Sequence, residues 1–135
     1  MKKLIKRISL MFAAGAMGGL INSLTMWFFG VKGIAAHFGV AIAPALTGSW
    51  LYPRLVWGGI WGGLFLLPLM ENRQILRGLV FSLGPTLVQL FFIFPTMDHK
   101  GFLGVELGAL TPVFVIFYNA IWGIVTALWL KWTDK

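Results

Sequence analysis

Three side-chain amides, Asn22, Gln89 and Asn119, lie within long apolar stretches of the 135-residue chain. An amide without a partner is strongly unfavourable in hydrocarbon, so these side chains should face neighbouring helices. At a helical rise of about 1.5 Å per residue, all three lie about 17–21 Å from the predicted inner ends of their helices. They are therefore expected at nearly the same depth in the membrane. Interhelical hydrogen bonding is the favoured use of such amides. The alternative is a polar site near the midplane that binds a small solute or an ion.

Four ionisable side chains, His37, Asp98, His99 and Glu106, are of types that bind divalent metals. No spacing places two of them on one helical turn, so we predict no metal site and no cofactor. Glu106 lies in an apolar segment, where its charge needs a cation or the aqueous interface, and Arg54 is its candidate partner. The candidate intramembrane polar site therefore comprises Asn22, Gln89, Asn119, Glu106 and Arg54.

The sequence contains no recognisable catalytic motif. The serines have no histidine or carboxylate nearby in sequence, and the chain has no GxSxG, HExxH or phosphate-binding glycine loop. The absence of cysteine also excludes a disulfide and a thiolate nucleophile. We expect a protein that is not an enzyme.

The composition indicates the class of protein that must position these residues. Hydrophobic residues make up 59% of the chain and charged residues 11%, against about 45–50% and about 25% in soluble domains. The net charge of +7 is distributed over the ends of apolar runs instead of one exposed face. The expected partner is therefore the lipid bilayer and not nucleic acid.

Four apolar stretches, at about 8–30, 54–70, 75–96 and 111–130, predict an all-α integral membrane protein. We expect residues 1–135 to form a single membrane domain, a four-transmembrane-helix bundle. The first stretch follows a basic start, as a signal peptide does, but its length of about 22 residues exceeds the roughly 7–15 of a signal core.

The distribution of cations predicts that both termini are cytoplasmic. Four spans place eight Lys and Arg residues inside and three outside. Making residues 34–52 a fifth span changes this ratio to six against five, so four spans are favoured. The eight predicted inner cations are Lys2, Lys3, Lys6, Arg7, Arg73, Arg77, Lys131 and Lys135.

Two outer apolar segments, at about 34–46 and 101–110, are too short to cross the membrane and are expected to be re-entrant or interfacial. Thr111 and Pro112 predict an N-cap and the first residue of the last helix. Pro85 predicts a kink in the third span that frees a carbonyl group near residue 81, with Thr86 as a candidate donor.

Small residues recur at helical spacing in every span and predict close helix packing, because lipid provides no hydrophobic drive for helices to associate. The predicted packing positions are Gly15, Gly19, Gly58, Gly59, Gly62, Gly63, Gly78, Ser82 and Gly123.

Short sequence matches between the two halves are consistent with two tandem helical hairpins. Ile60-Trp61-Gly62 in the second span matches Ile121-Trp122-Gly123 in the fourth, and Gly19-Leu20 in the first matches Gly78-Leu79 in the third. Such matches also arise by chance in sequences rich in glycine and leucine.

The first span carries Gly15-Ala16-Met17-Gly18-Gly19 and ends in Trp27, and the third begins at Arg77-Gly78 and ends with Phe94-Pro95. This order of features resembles the YagU-like family of small bacterial inner-membrane proteins. The resemblance implies a location in the bacterial inner membrane and no established chemistry. The long polar insertion that the family has between its first two spans is absent here.

Three functional classes are compatible with these features, of which an enzyme that acts on lipid is the least favoured. The first is a non-enzymatic scaffold or accessory subunit that packs through its glycine-rich helix faces, as a homodimer or within a larger membrane complex. The alternative is a small transporter or channel for a small solute or ion that uses the amide level and Glu106.

Overall fold

The structure is a computed structural model that describes residues 1–133, in which all regular elements are helical. The predicted all-α class is thus confirmed. Asp134 and Lys135, the latter among the predicted inner cations, lie outside the described residues. The elements are α1 (Lys2–Val31), α2 (Ile34–His37), α3 (Gly48–Trp61), a 3-10 helix (Gly62–Leu66), α4 (Gln74–Phe81), α5 (Leu83–Val88), a π-helix (Gln89–Met97), a second 3-10 helix (Phe102–Leu107) and α6 (Thr111–Thr133).

Three helical stretches, Lys2–Val31, Gln74–Met97 and Thr111–Thr133, are long and apolar enough to cross a membrane. Large apolar side chains on these helices are exposed, among them Ile8, Leu79 and Ile116. Exposed apolar side chains suit a helix that faces lipid. The fold is consistent with a membrane protein.

The second predicted span begins and ends earlier than the sequence indicated. Instead of 54–70, its helical residues run from Gly48 to Leu66. Thr47 caps the start, since its hydroxyl oxygen accepts a hydrogen bond from the N–H of Trp50 at 3.3 Å. The helix stops because Leu67 is extended, with φ −69° and ψ 130°, as is favoured for a residue that precedes proline, here Pro68.

The helical stretch Gln74–Met97, which is the third predicted span, is interrupted near the predicted position. α4 and α5 meet at Ser82, three residues before Pro85, whose ring and missing N–H disfavour a regular helix in the preceding turn. The hydroxyl of Thr86 donates to the carbonyl oxygen of Ser82 at 2.7 Å. From Gln89 onwards the helix widens into a π-helix that includes Pro95.

Helix α1 is central, with α3 and α6 packed against it, and α4 packs against α6. One end of the bundle holds the connections 32–47 and 98–110, and we call it the segment end. The opposite end holds Lys2, the connection 67–73 and Thr133, and we call it the terminal end.

The two short apolar segments, at about 34–46 and 101–110, pack against each other at the segment end. The N–H of Ala41 donates to the carbonyl oxygen of Leu107 at 2.8 Å, and a β-carbon on Gly108 would collide with the carbonyl oxygen of Gly39. Each segment contains only one short helix, at Ile34–His37 and Phe102–Leu107. The predicted cap at Thr111 is wrong, since Thr111 already belongs to α6 and its buried hydroxyl has no partner among the described residues.

Candidate functional site

The predicted packing glycines of α1 and α3 meet along one contact. A β-carbon on Gly15 would collide with the carbonyl oxygen of Gly58, and one on Gly62 with that of Met11. One on Gly19 would lie 2.9 Å from the carbonyl oxygen of Arg54. Since these neighbours are backbone atoms, they cannot move aside as a flexible side chain would.

A second contact of this kind joins α4 to α6. Gly78 and Gly123 approach so closely that a β-carbon on either would collide with the carbonyl oxygen of the other. Ser82, also buried, lies near Gly123. Gly59 faces the ring of Phe12, whereas Gly63 has open space beside it. The structure thus brings most of the predicted packing residues into two contacts within the chain, and Gly63 into neither.

Arg54 and Asn22 form the centre of a polar network near the segment end. The guanidinium of Arg54 donates from Nη2 to Oδ1 of Asn22 at 2.7 Å and from Nε to the hydroxyl oxygen of Ser23 at 2.8 Å. Asn22 donates in turn from Nδ2 to the carbonyl oxygen of Tyr118 at 2.6 Å. The network links α1, α3 and α6, and it leaves Nη1 of Arg54 for a further acceptor.

The charge of Arg54 is not neutralised by a protein carboxylate in the part of the chain that the structure describes. Its guanidinium carbon lies 4.9 Å from the ring centroid of Trp50, a cation–π distance. A half-buried cation that has hydrogen bonds but no counter-ion attracts an anionic ligand.

The other two predicted amides do not join this network. Asn119 donates from Nδ2 to the hydroxyl of Thr86 at 3.0 Å, which links α6 to α5. Gln89 is half-buried at the start of the π-helix. The predicted common level of amides therefore separates into an Asn22 network, an Asn119 contact and Gln89.

Glu106 is exposed on the 3-10 helix Phe102–Leu107, next to Gly101. The expected pairing of Glu106 with Arg54 is not found, because Arg54 instead bonds to Asn22 and Ser23. His37, Asp98 and His99 are also exposed at the segment end. No three His, Cys, Asp or Glu side chains among residues 1–133 come together as metal ligands would.

A partly open cavity of about 320 Å³, which we call the segment-end cavity, lies between the helices and the two short apolar segments. Its polar lining consists of Arg54, Gln89, Trp50 and Tyr118. The hydroxyl of Tyr118 is buried and has no hydrogen-bond partner among the described residues. The apolar lining consists of Met26, Ala41, Ile42, Ala43, Pro44, Phe94, Leu107 and Val115.

This lining can hold an acidic group against an apolar wall. A guanidinium binds a carboxylate by charge and hydrogen bonding together, and a buried hydroxyl without a partner favours an added acceptor. The cavity volume falls at the lower end of the range typical of small-molecule sites. Among the lining residues that the structure describes, no nucleophile is paired with a base.

Sequence reasoning missed Tyr118 and Ser23 as members of this site. Tyr118 directly precedes Asn119, and one helical residue turns a side chain by about 100°. The sequence does mark Tyr118 in one way, because its hydroxyl is a polar group within an apolar stretch, as the three amides are. Ser23 carried the same signal beside Asn22.

No protein-family model matches the chain, and neither does any curated protein or solved structure.

Proposed function

We propose that this chain crosses the membrane four times, with both termini on the cytoplasmic side of the bacterial inner membrane. The helical run from Gly48 to Leu66 supports a fourth crossing. At about 1.5 Å per α-helical residue and about 2.0 Å per 3-10 residue, it measures about 31 Å, near the ~30 Å of a hydrocarbon core. It also lies beside α1 through Gly15, Gly19 and Gly58.

The order of elements supports two tandem hairpin repeats. Each half has a long helical stretch, a short helix at the segment end and a second helix that packs on the first. A further match, between Ala45-Leu46-Thr47 and Ala109-Leu110-Thr111, aligns two threonines that both stand at the start of the second helix. Parallel repeats of this kind are known in transporters.

As its function, we propose that the protein binds a small organic anion in the segment-end cavity and transports it. The observation that carries this proposal is Arg54, a cation with no protein counter-ion in the described chain, which lines the segment-end cavity. Tyr118, whose buried hydroxyl has no partner among the described residues, lines the same cavity. A carboxylate held by Nη1 of Arg54 and by Tyr118 would satisfy both groups.

The apolar wall of the cavity indicates the chemistry of the ligand beyond its carboxylate. Met26, Ile42, Phe94 and Val115 line the cavity, so the body of the solute should be a short hydrocarbon or aromatic group. Fully polar anions such as sulfate would leave this wall in contact with water. We therefore expect monocarboxylates with an apolar chain to bind better than acetate.

A scaffold function draws less support. The glycine faces on which that hypothesis depended are largely occupied within the chain, where Gly15 packs on Gly58 and Gly78 on Gly123. Gly63 alone among the predicted packing glycines has open space in the described structure. A partner helix would have to use other surfaces.

Binding is tested with the purified protein in detergent, by titration calorimetry with monocarboxylates from acetate to octanoate. Alkylammonium ions of equal length serve as ligand controls. We expect carboxylate affinity to rise with chain length until the cavity is full, and no ammonium binding. Equal binding of both series, or none of the carboxylates, would refute the anion site.

Tyr118→Phe is the sharpest variant, because the hydroxyl that it removes has no partner among the described residues. We expect unchanged or slightly higher thermal stability, with carboxylate affinity lowered roughly 2- to 10-fold by the loss of one hydrogen bond. Arg54→Gln should abolish binding, but it also removes hydrogen bonds between α1 and α3. Lys100→Gln, which removes an exposed cation at the same end, is the charge-matched control.

Transport is tested separately, by uptake of the bound carboxylate into proteoliposomes.

A further inference from the structure

A second cavity, of about 290 Å³, lies at the opposite end of the bundle between α1, α4 and α6, and we call it the terminal-end cavity. Its charged lining consists of Arg7, Arg77, Lys131 and Glu71. Three cations against one carboxylate give the described lining a net charge of +2. The charge of this cavity favours an anion, and it comes from three different helices.

Arg77 holds its charge in a nearly buried position, with only 7% of the residue exposed. Its Nη2 donates to the carbonyl oxygens of Phe65 at 2.7 Å and Leu67 at 3.0 Å. Its guanidinium carbon lies 5.2 and 5.5 Å from the ring centroids of Phe65 and Phe81. Nε is buried without a hydrogen-bond partner among the described residues. The packing therefore fixes a poorly hydrated cation at the cavity.

The uncharged lining of the same cavity includes an apolar wall, formed by Leu10, Met11, Phe65 and Leu130, beside the polar Gln74 and Thr133. Leu4, one turn before Arg7 on α1, and Ile8, one turn after Leu4, form an exposed apolar face of that helix. An anionic group in the cavity would thus lie beside an apolar surface that faces the hydrocarbon of a membrane.

We propose that the terminal-end cavity binds the phosphate group of an anionic phospholipid, with its acyl chains along the apolar surface of α1. Basic pockets between membrane helices bind lipid headgroups in this way. Inorganic phosphate shares the headgroup chemistry but lacks the acyl contact. This inference requires the membrane location but not the solute function of the segment-end cavity, so each can fail without the other.

The test is thermal unfolding of the detergent-purified protein with phosphatidylglycerol, phosphatidylcholine or inorganic phosphate. We expect phosphatidylglycerol to raise the midpoint well above the value in phosphatidylcholine, because only the former carries a net negative charge. In Arg7→Gln/Lys131→Gln, both exposed positions, the apparent affinity for phosphatidylglycerol should fall roughly 5-fold for each cation removed. This double variant leaves Arg77 unchanged, because its loss would also remove two hydrogen bonds.

The matched control is Lys32→Gln/Lys100→Gln, which removes two exposed cations at the segment end. It should keep the wild-type response to phosphatidylglycerol. An equal loss in this control would show general charge attraction and overturn the site. Equal protection by inorganic phosphate would overturn the lipid as ligand, and the same midpoint in both lipids would overturn the proposal altogether.

Discussion

The hydrogen atom that serves as the side chain of Gly123 determines how closely α4 and α6 can approach. A β-carbon there would meet the carbonyl oxygen of Gly78, which belongs to a helix backbone. We expect Gly123→Ala to lower the free energy of unfolding in detergent by about 1–3 kcal/mol, the usual effect of overpacking. The measurement is a thermal or denaturant unfolding curve followed by circular dichroism.

Gly63→Ala is the matched control for this substitution, since an added methyl group there meets no atom within 4 Å. It should leave stability unchanged or raise it slightly, because alanine loses less backbone freedom than glycine in a helix. An equal loss of stability in both variants would contradict the close contact between α4 and α6.

At the scale of the helices, Trp122 connects three elements. Its indole N–H is shared between the carbonyl oxygens of Gly15 at 3.1 Å and Gly58 at 3.3 Å, which lie on α1 and α3. Trp122→Phe keeps a buried ring but removes the donor. We expect a loss of about 0.5–1.5 kcal/mol in unfolding free energy, measured as for Gly123→Ala.

Trp61 provides the comparison, because it holds the matching position in Ile60-Trp61-Gly62 and packs near Leu64 in the same apolar cluster as Trp122. No hydrogen bond from its indole occurs within the described residues, so Trp61→Phe should cost less. If the two variants were equally destabilised, the effect would come from ring packing and not from the shared hydrogen bond.

At the scale of the whole molecule, the number of membrane crossings and the location of the termini can be tested by labelling. The chain has no cysteine, so single cysteines can be placed at Lys3, Asn72 and Lys100, all of which are exposed. With four crossings, a membrane-impermeant maleimide should label Lys100→Cys in intact cells. It should label Lys3→Cys and Asn72→Cys only after the membrane is broken.

Asn72→Cys distinguishes four crossings from three. Asn72 follows the helical run that ends at Leu66, so it shares the side of Lys3 only if that run crosses. Labelling of Asn72→Cys in intact cells would contradict the fourth crossing, and labelling of Lys3→Cys would contradict the cytoplasmic N-terminus.

Much of the helical fold could be predicted from the sequence because it depends on local properties. Apolar length, helix-stopping prolines and small residues at helical spacing act within a few residues. They indicated the all-α class, the interruption near Pro85 and the glycines at which helices meet. The helix in the region of the second predicted span begins and ends before 54–70, because Thr47 caps its start and Leu67, which precedes Pro68, is extended.

The partners of the polar side chains depended on tertiary structure, because a hydrogen bond requires the right rotation and register of two helices at once. The sequence predicts one depth for Asn22, Gln89 and Asn119, yet their helices turn them toward different neighbours. Arg54 bonds to Asn22 instead of Glu106 because α1 packs against α3 through glycine, and this brings Asn22 within 2.7 Å. The sequence alone determined an apolar helical chain with few charges, and the packing of its helices decided which of those charges face a cavity.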